Sequence, residues 1–434
     1  MTSITIQQTP VIIAQLSPTT ATDAPALGTN AKERTPQVLL DQVFTDGSDN
    51  LPRRLRYSRQ ATVRRLMKSE YRVNRQGESK NYRVSHCLWS LTNKADAGLH
   101  VKLTTLGATF GGLQICGSVW HCPVCAARIA NQRSKEIQEC IDAAKLRGYK
   151  AVLLTYTARH STQTSLEEQL EAMSQSYESV WRGESAKRLK AHYQVLGTIR
   201  TLECTVGTKG WHPHIHAIAF IPDDVDTKLF GESVRSRWEM MAGKHGLTMN
   251  RHGFDATDAP GRIAEYVVKF GHQPKISTWT ESQELARWNS KKGRRMMGVK
   301  FLGELDDHLT PWELLDASQQ GNTAAGGLFV EYAKAYHGRQ QVSFGNLRKL
   351  LGLDKELTDE EAAEKESEEA KKICTVQFTY SAWCAIRGQD MRAELLELIE
   401  LAAGDEQLTI QSCFDAFGFY PVVDYSTKSD DDDV

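Results

Sequence analysis

Hydrophobic positions change period several times between Ala151 and Phe270. Ala151-Val-Leu-Leu-Thr-Tyr-Thr-Ala158 is a short apolar run of strand length. From Ser165 to Lys190, Leu166, Leu170, Met173 and Tyr177 recur at helical spacing, and Ser165 with Glu168 forms a capping box. Strand patterning returns over Tyr193–Thr205 and Trp211–Phe220, and the Gly-containing turn 206–210 predicts that the two pair as an antiparallel hairpin. Thr227–Ala242 reads as a helix, as does Asp258–Phe270, with Pro260 in its first turn. The order strand, helix, strand, strand, helix predicts an α+β fold, an antiparallel sheet flanked by helices.

Patterning weakens toward both ends. Residues 1–48 are rich in Thr, Pro, Gln, Ala and Asp without a sustained period, and read as a disordered arm. Residues 49–145 hold a basic, helical stretch from Leu51 to Arg83 and then a cysteine-rich region. Residues 146–352 form the expected central domain with a basic extension. Residues 353–434 read as an acidic linker, a small strand-plus-helix appendage and a disordered end. No run approaches the roughly 18 apolar residues of a membrane span, and no leader pattern precedes the basic stretch. A cytoplasmic protein with no membrane partner is expected. Gly-x-x-x-x-Gly-Lys-Ser/Thr is absent, so the sequence shows no P-loop motor.

Charge sharpens this division. The formal net charge is only -1, but residues 354–434 carry 21 acidic against 7 basic residues, a net of -14. The remaining 46 basic and 33 acidic residues give the body +13. A basic body with an acidic tail suits a polyanion binder, although two domains differing in charge for solubility would look the same.

Candidate chemistry concentrates at three places. In Trp211-His-Pro-His-Ile-His-Ala217, strand geometry puts His214 and His216 on one face and Ile215 on the other. Two imidazoles so placed can grip one divalent cation, and a third ligand is expected. Glu203, on the paired strand, is the candidate; its ordinary alternative is an exposed strand carboxylate. His212 shares the face. Tyr266 and Lys269 stand three apart and would share a helix face. Solvated histidines and a packed helical tyrosine are the bland readings of either motif alone. Nine cysteines, an odd number, argue against a disulfide framework. Cys122-Pro-Val-Cys125 is a zinc half-site, and Cys116 adds a third thiolate. Cys87 is the first choice for the fourth ligand, with His121, His100 and His86 behind it. A redox Cys-x-x-Cys is the competitor. Arg128 follows on a helix with Arg133 and Lys135, and Lys291, Lys292, Arg294 and Arg295 form a second basic run.

A His-hydrophobic-His strand followed by a Tyr-x-x-Lys helix resembles the HUH endonucleases, and in particular the rolling-circle replication initiators of small plasmids. The run Cys116-x5-Cys122-Pro-x-Cys125 and the blocks Leu309–Leu315 and Glu331–Arg348 are similar to theirs, so the resemblance spans about residues 84 to 352. It implies an HUH, ferredoxin-like catalytic core behind an N-terminal zinc-binding segment. Tyr266 would be the nucleophile, leaving a 5′-phosphotyrosine and a 3′-hydroxyl, with Lys269 in support. Catalytic Mg²⁺ or Mn²⁺ would sit on His214, His216 and Glu203, and structural Zn²⁺ on Cys87, Cys116, Cys122 and Cys125. DNA is the implied partner, met at an origin with a single-stranded nick site; Arg128 and the 291–295 run would contact it. Host helicase and polymerase would complete replication. Some initiators place an acid four residues before the tyrosine; here that position is Arg262, and Glu265, Asp258 and Asp255 lie near without an assigned role. Tyr332 and Tyr336 are next in line as nucleophiles. A transposase or relaxase on the same core is an alternative, although a relaxase usually places its tyrosines before the histidines. A non-catalytic, zinc-containing DNA-binding regulator is another. The acidic tail is expected to be dispensable for nicking.

Overall fold

The computed structural model describes residues 35–44, 51–92, 98–159, 163–258, 309–365 and 370–425. Its first elements are α1 (Pro36–Phe44), α2 (Leu51–Met67), a hairpin of β1 (Tyr71–Val73) and β2 (Ser79–Asn81), a second hairpin of β3 (His100–Thr104) and β4 (Gly107–Gly111), and the long α3 (Pro123–Lys145). The central elements follow: β5 (Tyr149–Tyr156), α4 (Leu166–Trp181), α5 (Glu184–His192), β6 (Gly197–Gly207), β7 (Gly210–Pro222), α6 (Thr227–Lys244) and β8 (Phe254–Asp258). Beyond residue 308 come α7 (Pro311–Gln319), α8 (Thr323–Tyr336), β9 (Val342–Ser343), α9 (Leu347–Leu350), α10 (Asp359–Lys365), β10 (Lys372–Gln377), α11 (Tyr380–Gly388), α12 (Arg392–Ala402), α13 (Glu406–Phe417) and β11 (Val422–Asp424).

The α+β fold expected from the patterning is present. Five strands form one antiparallel sheet in the order β8-β5-β7-β6-β9. The β6–β7 hairpin closes on Gly207↔Gly210 around Thr208 and Lys209, with Gly210 at φ +92°. That left-handed backbone is easy only for glycine. Period-2 alternation gives the sheet two different faces. On one, Ile215, Ala217, Ala219 and Ile221 join Val152, Leu154 and Tyr156 in the main core with Met173 of α4, Phe230 and Trp238 of α6, and Phe329 and Tyr332 of α8. On the other, Ile199, Ile218 and Phe220 pack against Ile137, Cys140 and Ala144 of α3 and against Phe344 and Leu347. Pro213 lies in a central strand but beyond Tyr156↔Ile215, the last pair with β5, so β7 has a neighbour on one side only there. A missing N–H is tolerated at such an edge.

Three expectations change. The single helix over 165–190 is two, because Gly183 sits at φ +85° between α4 and α5. Within the arm read as disordered, α1 forms and buries Leu39 and Val43, packing on α12 and α13. The C-terminal segment read as an appendage is built into the cysteine-rich region. β10 pairs with β3 in a second sheet of order β11-β10-β3-β4. Arg53 grips Glu400 of α12 with two hydrogen bonds of 2.6 and 2.7 Å, and Arg54 grips Glu397 at 2.9 Å. Arg392, fully buried, reaches Gln60 Oε1 at 2.8 Å and Leu88 O at 3.2 Å. Acidic residues of the tail thus neutralise basic residues of α2, a pairing invisible to local patterning.

Candidate functional site

The hairpin register decides which polar side chains meet. Glu203 stands directly opposite His214, Thr201 opposite His216, and Thr205 opposite His212. Directly opposed residues share a face, so these six line the half of the α3-side face that the helix leaves polar. On the neighbouring strand Thr155 is opposite both His216 and Asp255. His216 is almost fully buried and is held from both sides: Nε2 lies 3.3 Å from Glu203 Oε2, and Nδ1 lies 3.2 Å from Thr155 Oγ1. The His214 ring stacks on the His216 ring, with centroids 6.2 Å apart and planes 17° from parallel, and packs at 4.0 Å on His212. His214 is the more exposed of the two. The donor set, two imidazoles and a carboxylate, suits a divalent cation with open positions for substrate. Asp255 joins this face through β8; its signal in the sequence was the cross-strand register, which no local motif carries.

Cys87, Cys116, Cys122 and Cys125 are all buried, and their sulfurs lie within 4.8 Å of one another. Cys87 is 3.7 Å from Cys122 and 3.6 Å from Cys125, and Cys116 is 3.7 Å from Cys125. Four sulfurs about 2.3 Å from a tetrahedral ion would be about 3.8 Å apart, so the quartet fits a metal such as zinc. Among the described residues no other group of three or more His, Cys, Asp or Glu side chains converges so closely. Local structure explains the placement. Cys122 is the N-cap of α3, with Pro123 next, and its sulfur accepts from Cys125 N–H and from Gln60 Nε2 at 3.2 Å. Cys87 Sγ accepts from Cys116 N–H at 3.4 Å. Burial opposes the Cys122 thiolate, yet hydrogen bonds from Cys116, Cys125 and Cys87 hold that thiol well below its ordinary range. Burial pushes the Cys116 thiol well above it.

The reserve ligands are engaged elsewhere. His121 Nδ1 meets Ser118 Oγ at 2.5 Å and Nε2 meets Ala333 O at 2.7 Å, and burial lowers its pKa to about 4. His100 Nδ1 contacts Gly98 O at 2.6 Å, and His86 Nδ1 contacts Ser90 Oγ at 3.3 Å. The knuckle is also joined to the histidine sheet. Trp120 donates to Arg339 O at 2.6 Å and packs 4.4 Å from Tyr336, whose hydroxyl donates to Glu203 O at 3.1 Å. Tyr332 stacks on Trp211. Both tyrosines are fully buried with phenol pKa values pushed well above the usual range by desolvation, so they serve as core rather than as reserve nucleophiles. Arg128 is half-buried on α3. Tyr266, Lys269, Lys291, Lys292, Arg294 and Arg295 lie outside the described residues.

The cysteine knuckle and the two-histidine strand are thus held in one frame through Trp120 and Tyr336. Residues 112–244, from the knuckle through the histidine strand to the end of α6, match the family model described as a replication protein. The chain is 27% identical over 376 residues to "Protein rep" of Streptomyces lividans, covering 71% of this chain and 80% of that relative. It is also 32% identical over 152 residues to the "Neomycin resistance protein" of Streptomyces cyanogenus, covering 29% of this chain and 35% of that relative. No solved structure matches the chain. The resemblance to plasmid rolling-circle replication initiators is borne out by the family match and the first relative. No helix among the described residues is long and apolar enough to cross a membrane.

Proposed function

We propose that the protein starts rolling-circle replication by nicking, and later rejoining, one origin strand through a tyrosine transesterification. The observation that carries this reading is the register of β6 on β7, which brings Glu203, His214 and His216 onto one polar face inside the replication-protein match. A Mg²⁺ or Mn²⁺ ion held by these three would neutralise a non-bridging phosphate oxygen. Thr155 and Glu203 fix the His216 ring so that its donor atoms keep one orientation. Tyr266 would attack phosphorus with its phenolic oxygen. The P–O3′ bond breaks, the 3′-hydroxyl leaves, the phenol proton passes to solvent or a base, and a 5′-phosphotyrosine remains. The reverse attack by a 3′-hydroxyl rejoins the strand and frees the tyrosine. Lys269 would offset phosphate charge.

Connectivity supports Tyr266 as the nucleophile. It follows Asp258 by eight positions, so it is tethered within about 29 Å of the end of β8 at roughly 3.6 Å per residue. The chain leaves β8 at one sheet edge and returns at Leu309, which bridges to Val206 on β6 near the far edge, beside the histidines. In the same reading the four cysteines hold a structural Zn²⁺, and Arg128 with the 291–295 basic run contacts DNA. The protein works in the cytoplasm with host helicase and polymerase.

The test is incubation with a 3′-end-labelled, single-stranded oligonucleotide from the cognate replicon, followed by a denaturing gel. A phenol of pKa about 10 is a poor nucleophile at neutral pH, so the labelled, protein-shifted band should need Mg²⁺ or Mn²⁺. Tyr266→Phe should abolish it and leave DNA binding nearly unchanged. A shifted band from Tyr266→Phe would remove this tyrosine from the mechanism. A metal-independent absence of nicking by wild type would leave a DNA-binding regulator.

A further inference from the structure

A second polar cavity lies away from the histidine strand. α2, the start of α3 and the β3–β4 hairpin enclose about 370 Å³, near the lower end of ligand-site sizes. Arg53, Arg56 and Arg128 line it together with the hydrogen-bonding side chains of Thr104, Thr109 and Asn131, and no described lining residue is acidic. Glu400 stands behind Arg53, bound to it at 2.6 and 2.7 Å and to Ala108 N–H at 2.6 Å. Three guanidiniums thus meet in a lining that has no described acidic side chain.

The cavity is built rather than accidental. Arg53 and Arg56 are one turn apart on α2, and so share its cavity side. Arg128 follows the metal-type knuckle at Cys122–Cys125 directly on α3, so the cysteine quartet sets its position. Gly107 has φ +122°, and a Cβ there would come within 2.7 Å of Glu400 Oε1, so only glycine lets the hairpin close over the Arg53–Glu400 pair. Tyr57 is buried in the wall, its phenol raised by desolvation, with Arg128, Arg392, Arg53 and Arg56 acting in the opposite direction. Among the described residues Arg128 makes no hydrogen bond or ion pair.

We propose that this cavity seats a phosphate group between Arg56 and Arg128, as an anchor separate from the histidine face. Planar guanidinium forks match phosphate oxygens bidentately. The favoured source is a backbone phosphate of bound DNA, which rests on the reading that this protein binds DNA. A free phosphate monoester has the same chemistry.

The experiment compares the full chain with the double variant Arg56→Gln/Arg128→Gln and with Arg128→Lys, after metal content and melting confirm that each is folded. Binding to a single-stranded oligonucleotide is measured across a salt series without added Mg²⁺ or Mn²⁺. In parallel, inorganic phosphate and dAMP are tested for a melting shift. With a backbone phosphate, the double variant should lose about tenfold in affinity at low salt. Its log–log salt slope should shrink by about 1.4, two contacts at about 0.7 each. Arg128→Lys should keep most of that slope. With a free phosphate, wild type should melt higher in millimolar phosphate, the double variant should not, and DNA binding should be equal in both. Equal salt slopes and equal phosphate responses, in a wild type that binds DNA, would overturn the cavity while leaving the nicking proposal standing. A wild type that binds no DNA would sink the nicking proposal, and the phosphate melting shift alone would then decide the cavity.

Discussion

His216 is the residue on which the polar face turns. It is nearly inaccessible, and its two ring nitrogens face Glu203 and Thr155, so its orientation is fixed before any ion arrives. Groups that orient a ligand from behind typically contribute 10- to 100-fold in metal affinity. Thr155→Val should therefore raise the Mn²⁺ concentration that half-saturates nicking by about tenfold or more, with melting almost unchanged. A flat metal titration would show that the hydroxyl has no part in holding the site. Arg392 plays a comparable part in stability. It is buried without exposure and bonded to Gln60, Leu88 O and Asp390. Breaking a buried charge network by removing one partner costs about 3–5 kcal/mol. Arg392→Ala should lower the denaturant midpoint accordingly, and because Gln60 also donates to Cys122, metal should be lost more readily.

Among the elements, the cysteine knuckle and α8 act as one buttress. Trp120 and His121 dock on α8, and α8 docks through Tyr332 and Tyr336 on Trp211 and on the backbone of Glu203. Cys122 caps α3, so its loss removes a metal ligand and a helix cap together. Cys122→Ser should reduce bound zinc from about one equivalent toward none. It should also increase amide exchange in β3, β4 and the N-terminal half of α3, with a smaller increase in β6 and β7 through α8. Full zinc content and unchanged exchange in that variant would contradict the assignment. The hairpin that carries the histidines was readable from Gly207, Gly210 and two alternating runs. The break between α4 and α5 was not, because apolar spacing continues past it while Arg182 turns extended and Gly183 takes a positive φ.

At the scale of the whole molecule, the C-terminal segment holds the N-terminal half together. β10 fills the free edge of β3, Trp383 is buried with its indole donating to Trp89 O at 3.1 Å, and the α12 carboxylates pair with α2. Ending the chain after Leu353 should give an aggregating protein, since it bares the β3 edge and a large apolar surface. Ending it after Tyr425 removes four of the aspartates and none of these contacts. That shorter chain should keep its melting temperature and nicking, and bind non-specific DNA more tightly with a steeper salt dependence. A loss of stability on removing 426–434 would be the contrary result.

What the sequence determined by itself was chemistry carried by local spacing: His214 and His216 on one strand face, Cys116, Cys122 and Cys125 in one knuckle, and the α+β order of elements. These follow from periods of 2 and 3.6, which bind neighbours in sequence to fixed faces. Glu203 and Cys87 could be named from the sequence as candidates, but the geometry of partners far along the chain was decided by tertiary structure. Glu203 faces His214 and Asp255 faces Thr155 through cross-strand register. Cys87 completes the quartet from 29 residues before Cys116. Glu400 meets Arg53 across most of the chain. Such contacts depend on which surfaces must be buried together, and no local period records that choice.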